Sequence, residues 1–163
     1  MVLFLKILVF TVLVPGTVAG YIPWSIVRGV PLVVTPWVIP AGLCSIVGVA
    51  IYLWCAYDFG VAGRGTPAPI DAPKRLVVRG LYQYVRNPMY VGVMLVLAGW
   101  TMLYRIEGLV NYTVGAFVVF NLLVFFYEEP NLQKLFGAEY ADYRSRVGRW
   151  LPRIRRRRGP GGH

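Results

Sequence analysis

Apolar residues fall in four long runs along this chain, separated by stretches where glycine, proline or charge collects. The runs cover roughly residues 2–20, 40–57, 88–103 and 109–127. Each has about the length and polarity of a helix that crosses a bilayer. Residues 21–40 carry Pro23, Pro31, Pro36 and Pro40 with Trp24 and Trp37. Proline at that density argues against a straight span, and tryptophan suits the interfacial belt, so this stretch is expected to be an external connection lying along the membrane. Residues 58–73 are rich in glycine and proline and read as a flexible cytoplasmic connector. The third run opens on Asn87-Pro88, a favoured N-cap followed by a favoured first helical residue. Beyond the fourth run, Leu132, Leu135, Phe136, Tyr140, Tyr143 and Val147 recur at helical spacing, which predicts an amphipathic helix over 131–147 on the cytoplasmic surface.

Composition and charge turn this pattern into a topology. The chain has 163 residues, 57% of them hydrophobic and 15% charged, against about 25% charged in an ordinary soluble domain. This is an all-α integral membrane protein of one domain, 1–163, with little chain left for a soluble module. Of 17 lysines and arginines, 14 lie in 58–87 and 128–163. These two blocks share a side if the number of spans between them is even, so the positive-inside rule predicts four transmembrane helices with both termini cytoplasmic. Arg28 and Arg105 fall outside. Lys6 ahead of an apolar run, with Ala19-Gly20 behind it, also fits a cleaved signal peptide. The apolar residues that precede Lys6 predict instead a retained helix, with Lys6 reaching back to the interface.

Other chemistries are excluded early. Cys44 and Cys55 are eleven residues apart on one expected helix, roughly 16 Å, too far to bridge each other. The single histidine is His163, which rules out haem held by histidine pairs, His-based zinc and a Ser-His-Asp triad. No metal is expected. The glycines of 58–73 lack the spacing of a dinucleotide fingerprint. The tail Arg153-Ile154-Arg155-Arg156-Arg157-Arg158 beside membrane helices points to anionic lipid, not nucleic acid.

A site emerges from counting along the last two spans. Tyr90 lies 18 residues before Gly108 and Glu128 lies 20 after it, so antiparallel helices return both to nearly the same depth. Arg86 and the helix start beside it favour an anion. Glu128 and Glu129 are adjacent carboxylates at the far end of the fourth run, where they repel each other. One of them is available to a cationic ligand, unless both serve as ion-pair partners of Arg86, Lys134 or Arg144. An anion site and a cation site at one depth match a zwitterion such as an amino acid.

The stretch Arg79-Gly80-Leu81-Tyr82-Gln83-Tyr84-Val85-Arg86-Asn87-Pro88-Met89-Tyr90-Val91-Gly92 resembles the cofactor motif of the membrane methyltransferases, a group that includes isoprenylcysteine carboxyl methyltransferase and the phospholipid N-methyltransferases. Tyr127-Glu128-Glu129-Pro130, followed by Phe136-Gly137, Glu139-Tyr140, Tyr143-Arg144 and Trp150-Leu151-Pro152, is similar to their second block. The resemblance covers residues 74–152, the expected cofactor-binding and catalytic half. It implies S-adenosylmethionine as methyl donor, held at the cytoplasmic face. Leu76, Val77, Tyr82, Asn87, Pro88, Met89, Tyr90 and Glu128 are then the implied cofactor-binding residues. Arg86 and Glu129 are the candidate catalytic residues, with Glu129 or a tyrosine as the base if the acceptor is an ammonium. The carboxyl methyltransferases have histidine where this chain has Asn87, and an arginine where it has Val124, so Asn-Pro-Met-Tyr resembles the phospholipid enzymes more closely. The implied activity is methyl transfer to a lipophilic small molecule or lipid in the membrane. Two alternatives stay open: an NADPH-dependent membrane reductase of the sterol-reductase type, and a non-enzymatic scaffold or lipid-binding protein.

Overall fold

The computed structural model describes residues 2–63 and 75–153. Helices α1 (Val2–Leu13) and α2 (Ile22–Val27) are joined through a π-helical turn at Thr17–Tyr21 into one helix, Leu3–Val27, of 25 residues. The connection expected from residue 21 therefore begins only after Val27, and Pro23 sits inside the helix. Two neighbouring helices make this possible. Proline lacks the N–H that an α-helix would direct to Ala19, and its ring crowds that carbonyl. In the widened turn the Ile22 N–H bonds Thr17 O, which leaves the carbonyl of Val18 free as well. Trp100 Nε1 donates to Ala19 O at 2.9 Å, and the Tyr112 hydroxyl donates to Val18 O at 2.8 Å. Neighbouring side chains thus satisfy backbone groups that lipid could not.

Helix α3 (Val38–Asp58) continues through a second π turn, Phe59–Gly63. The first residues of the expected 58–73 connector are therefore helical; the rest of it lies outside the described residues, as does 154–158 of the arginine tail. After a 3₁₀ turn at Gly80–Gln83 come α4 (Pro88–Tyr104) and α5 (Glu107–Leu123), with Arg105-Ile106 between them. A third π turn, Val124–Glu128, leads into α6 (Glu129–Arg146) without the break expected after Glu128. Pro130 follows this turn as Pro23 follows the first, and again the wider turn accommodates a residue that cannot donate. The kink falls instead at Gly137, whose φ of 50° and ψ of −121° leave the helical region.

The described residues hold no strand, only an isolated bridge between Val85 and Gly148. Three of their helices are long and apolar enough to cross a membrane: Leu3–Val27, Val38–Ala62 and Glu107–Arg146. Pro88–Tyr104 is apolar but has 17 residues, roughly 26 Å at 1.5 Å each, a little under the hydrocarbon thickness.

Helices α3 and α4 run antiparallel and touch through backbone. A Cβ on Gly48 would stand 2.5 Å from Gly92 O, and one on Gly92 would stand 2.7 Å from Gly48 O. Two turns along, a Cβ on Gly99 would meet Ser45 Oγ and the Ala41 carbonyl. Small residues let membrane helices approach this closely, where dispersion and not water expulsion holds them. Around this seam the core gathers Tyr52 and Ala56 of α3, Val93 and Leu97 of α4, Phe120 of α5 and Ile7 of α1. Helix α5 adds a hydrogen bond between Thr113 Oγ1 and Thr101 Oγ1, 2.9 Å apart. Of the apolar face expected on 131–147, Tyr140, Tyr143 and Val147 are buried together with Leu76, Leu132 and Phe136 against them, while Leu135 is exposed.

Candidate active site

A cavity of about 400 Å³ opens where the end of α3, the start of α4 and the α5–α6 junction converge. Its inner wall is apolar: Phe10, Val14 and Val18 of the first helix, Val93 of α4, Phe120 and Leu123 of α5. Its polar rim holds Arg86, Asn87, Glu128 and Asn131, with tyrosines 52, 82, 90, 127 and 143 in the lining.

Leu76, Val77, Tyr82, Arg86, Asn87, Met89, Tyr90 and Glu128 all line this cavity. Pro88 and Glu129 are outside the lining and buried behind it. Leu76 and Val77 pack to different sides: Leu76 with Tyr140 and Tyr143, Val77 with Cys55 and Tyr82. Tyr82 is 6% exposed, and burial pushes its phenol well above the ordinary range, so it faces the cavity as a neutral hydroxyl.

Counting along the helices placed Tyr90 and Glu128 at one depth, and the structure joins them: the Tyr90 hydroxyl donates to Glu128 Oε1. Tyr90 is held by Phe120, with ring centroids 4.7 Å apart, and by the edge of Trp150 at 6.3 Å. Asn87 occupies the N-cap position of α4, but its side chain makes no cap. Its Nδ2 donates to Arg149 O at 3.2 Å, because the segment after α6 folds back beneath α4 and offers a carbonyl there. The same segment accepts the Arg86 N–H at Gly148 O, 2.8 Å, and fixes Trp150 by a 3.0 Å bond from its Nε1 to Asn121 Oδ1.

The adjacent glutamates part company. Glu129 is 6% exposed and is gripped by two arginines: Arg149 Nε and Nη2 reach its two oxygens at 2.9 and 2.8 Å, and Arg86 Nη2 approaches Oε1 at 3.1 Å. The hydrogen bonds to Glu129 hold the Arg149 guanidinium above even its usual range. Glu129 and the two arginines sum to +1, with the Arg149 side chain 27% exposed and that of Arg86 buried. The Arg86 side chain is 7% exposed and the residue lines the cavity, while its Nε and Nη1 are buried away from accessible space, with the Tyr140 hydroxyl beside the guanidinium.

Sequence reasoning missed the contributions of α1, Tyr52, Arg149 and Asn131. Phe10, Val14 and Val18 do recur at i, i+4 and i+8, a face that could have been read as cavity wall. Arg149, one arginine among many near a basic tail, carries no such signal.

Buried polar groups are gathered at one end of apolar helices, around a cavity. Comparison with known proteins gives the family. The chain belongs to the phospholipid methyltransferase family, whose profile matches residues 37–139. It is 32% identical over 91 residues to a methanethiol S-methyltransferase of Pseudomonas deceptionensis, an alignment covering 56% of this chain and 33% of that protein, so the chain spans about a third of this relative's length. No solved structure matches.

Proposed function

We propose that this protein transfers a methyl group from S-adenosylmethionine to a lipophilic acceptor bound in the cavity, at the cytoplasmic face of the membrane. The observation that carries the reading is the pairing of two opposite charges on one cavity wall. Arg86 lines the cavity as a guanidinium, and Glu128, positioned by Tyr90, as a carboxylate. An amino acid zwitterion satisfies both. Arg86 takes its carboxylate, and Glu128 takes its ammonium or a ribose hydroxyl. When bound, S-adenosylmethionine supplies an electrophilic methyl group on a sulfonium. The chain's own part is to align that methyl with the acceptor and keep water from it, and the apolar wall of Phe10, Val18, Val93 and Phe120 serves that end. Orientation of this kind can contribute on the order of 7–11 kcal/mol of barrier reduction.

An acceptor lodged against that wall is apolar and carries no anionic headgroup, since Arg86 is the one cation in the lining among the described residues. The same count speaks against NADPH, whose several phosphates call for several cations. Isothermal titration of the purified protein with S-adenosylhomocysteine, and separately with NADPH, tests the reading. S-adenosylhomocysteine is expected to bind and to protect the region around residues 75–90 and 147–153 from proteolysis. Binding of NADPH alone transfers the protein to the reductase class.

We place four spans across the bilayer, with α4 as the third and shortest and the cavity rim on the cytoplasmic side. The distribution of basic residues supports this, and so does the antiparallel order of α3, α4 and α5. Single cysteines at the exposed positions 75 and 153, with Cys44 and Cys55 replaced by serine, should both react with an impermeant thiol reagent from the cytoplasmic side. Labelling from opposite sides rejects the topology.

A further inference from the structure

We propose that Asn131 reads the base of the methyl donor, its side-chain amide pairing with N6 and N7 of the adenine; the proposal rests on the methyl-donor reading above. Asn131 lines the cavity and is half-buried. Its side chain makes no hydrogen bond among the described residues, and neither amide atom is sealed from accessible space. Other polar groups of the lining are already committed. Asn87, its other amide, gives its Nδ2 to Arg149 O. The hydroxyls of Tyr90, Tyr143 and Tyr52 are engaged by Glu128, the Tyr82 carbonyl and Thr11. A free amide offers a donor and an acceptor side by side in one plane. Adenine presents the complement, the N6 amino group as donor beside N7 as acceptor, and asparagine engages the two through paired bonds.

Position along the helix selects the base over the rest of the donor. Phe120, Glu128 and Asn131 follow in that order on the continuous helix Glu107–Arg146, so Asn131 lies farther than Glu128 from the apolar inner wall. Three residues separate it from Glu128, roughly 4.5 Å along the axis. With the methyl group toward that wall and Glu128 on the ammonium or a ribose hydroxyl, the base is left for the stretch beyond Glu128. There Leu76, Leu132 and Leu135 join the lining and offer apolar surface to the faces of a planar ring. Leu76 and Leu132 are held in place against Tyr140 and Tyr143. The faces of the ring then meet leucines, and its polar edge meets the amide.

Titration calorimetry on the full-length protein in detergent, with three probes, tests this. S-adenosylhomocysteine is the reference. S-inosylhomocysteine replaces the amino group at C6 by a carbonyl oxygen, so an acceptor stands where the donor was. 5′-Methylthioadenosine keeps the adenine and lacks the amino acid. Wild type is expected to prefer S-adenosylhomocysteine over S-inosylhomocysteine roughly tenfold, the scale of one paired contact to a base edge. Asn131→Ala should weaken S-adenosylhomocysteine and methylthioadenosine alike, by roughly tenfold, and cut the preference for adenine to less than about twofold. Its melting temperature without ligand should stay near wild type, since the amide ties nothing together. Asn131→Gln keeps the amide on a longer stem and should retain part of the preference. A wild-type protein indifferent to the base, or an Asn131→Ala protein with the full preference intact, overturns the proposal. So does an Asn131→Ala protein that loses S-adenosylhomocysteine but binds methylthioadenosine as wild type does, which moves the amide to the amino acid end. A wild-type protein that binds none of the three overturns the methyl-donor reading itself, and the proposal with it.

Discussion

Glu128→Gln should weaken S-adenosylhomocysteine binding by about one to two orders of magnitude, the loss of one charge-assisted hydrogen bond at roughly 1.5–3 kcal/mol, while leaving thermal stability close to wild type. The reason lies in what the side chain touches. Among the described residues its hydrogen-bond partner is Tyr90, and a glutamine Oε1 still accepts from that hydroxyl, more weakly than a carboxylate but without the cost of burying a charge. Shape and local bonding are kept, and the charge toward the cavity is removed. Glu129→Gln should do the opposite. It strips a buried carboxylate from between Arg86 and Arg149 and leaves two guanidiniums facing each other, one of them 7% exposed. A loss of stability of about 3 kcal/mol is expected from breaking such a pair. Measuring melting temperature and ligand affinity on both variants separates the roles of two neighbouring carboxylates. A Glu128→Gln protein that melts early but binds normally when folded would sink the assignment of Glu128 to the ligand.

Gly92→Ala carries the second large expectation, a loss on the order of 3 kcal/mol in stability, with the site damaged in step. The added Cβ would sit 2.7 Å from the Gly48 carbonyl oxygen and 3.0 Å from the Tyr52 amide nitrogen. Both are backbone atoms in a helix and cannot swing aside as a side chain could. Helices α3 and α4 must separate. Arg86 lies two residues before α4 and Tyr90 lies in its first turn, so the shift also draws the Tyr90 hydroxyl from Glu128. Gly115→Ala in α5 is the matched control, because a Cβ there meets nothing within 4 Å. It should be neutral or slightly stabilising, as alanine is the better helix former. Thermal unfolding of both variants in one detergent checks the pair; a Gly92→Ala protein as stable as Gly115→Ala means that the helices do not cross this closely.

Sequence alone was enough for what depends on local composition and on counting. The apolar runs gave the all-α class and most of the helices, because a backbone in lipid has to satisfy its own hydrogen bonds. Asn87-Pro88 marked the start of α4 to the residue, since proline fits the first turn of a helix and little beyond it. The rise per residue brought Tyr90 and Glu128 to the same depth before any contact was known. The two motif blocks resembled the family that the profile match then identified.

What the tertiary structure decided is everything that depends on which neighbour supplies a missing partner. Pro23 reads as a helix breaker until Trp100 and Tyr112, far along the chain, are seen to satisfy the carbonyls it frees. The fourth apolar run and the helix expected over 131–147 read as separate elements until a widened turn at Val124–Glu128 is seen to join them across Pro130. Asn87 reads as a capping side chain until the returning segment offers the Arg149 carbonyl in its place. The difference between Glu128 and Glu129 is the sharpest case. They are identical in type and adjacent in sequence, and only the family resemblance separated them, as an implied cofactor-binding residue and a candidate catalytic one. One faces the cavity with Tyr90 and the other lies behind it between Arg86 and Arg149, because successive residues on a helix point about 100° apart and the partners waiting in those two directions come from distant parts of the chain.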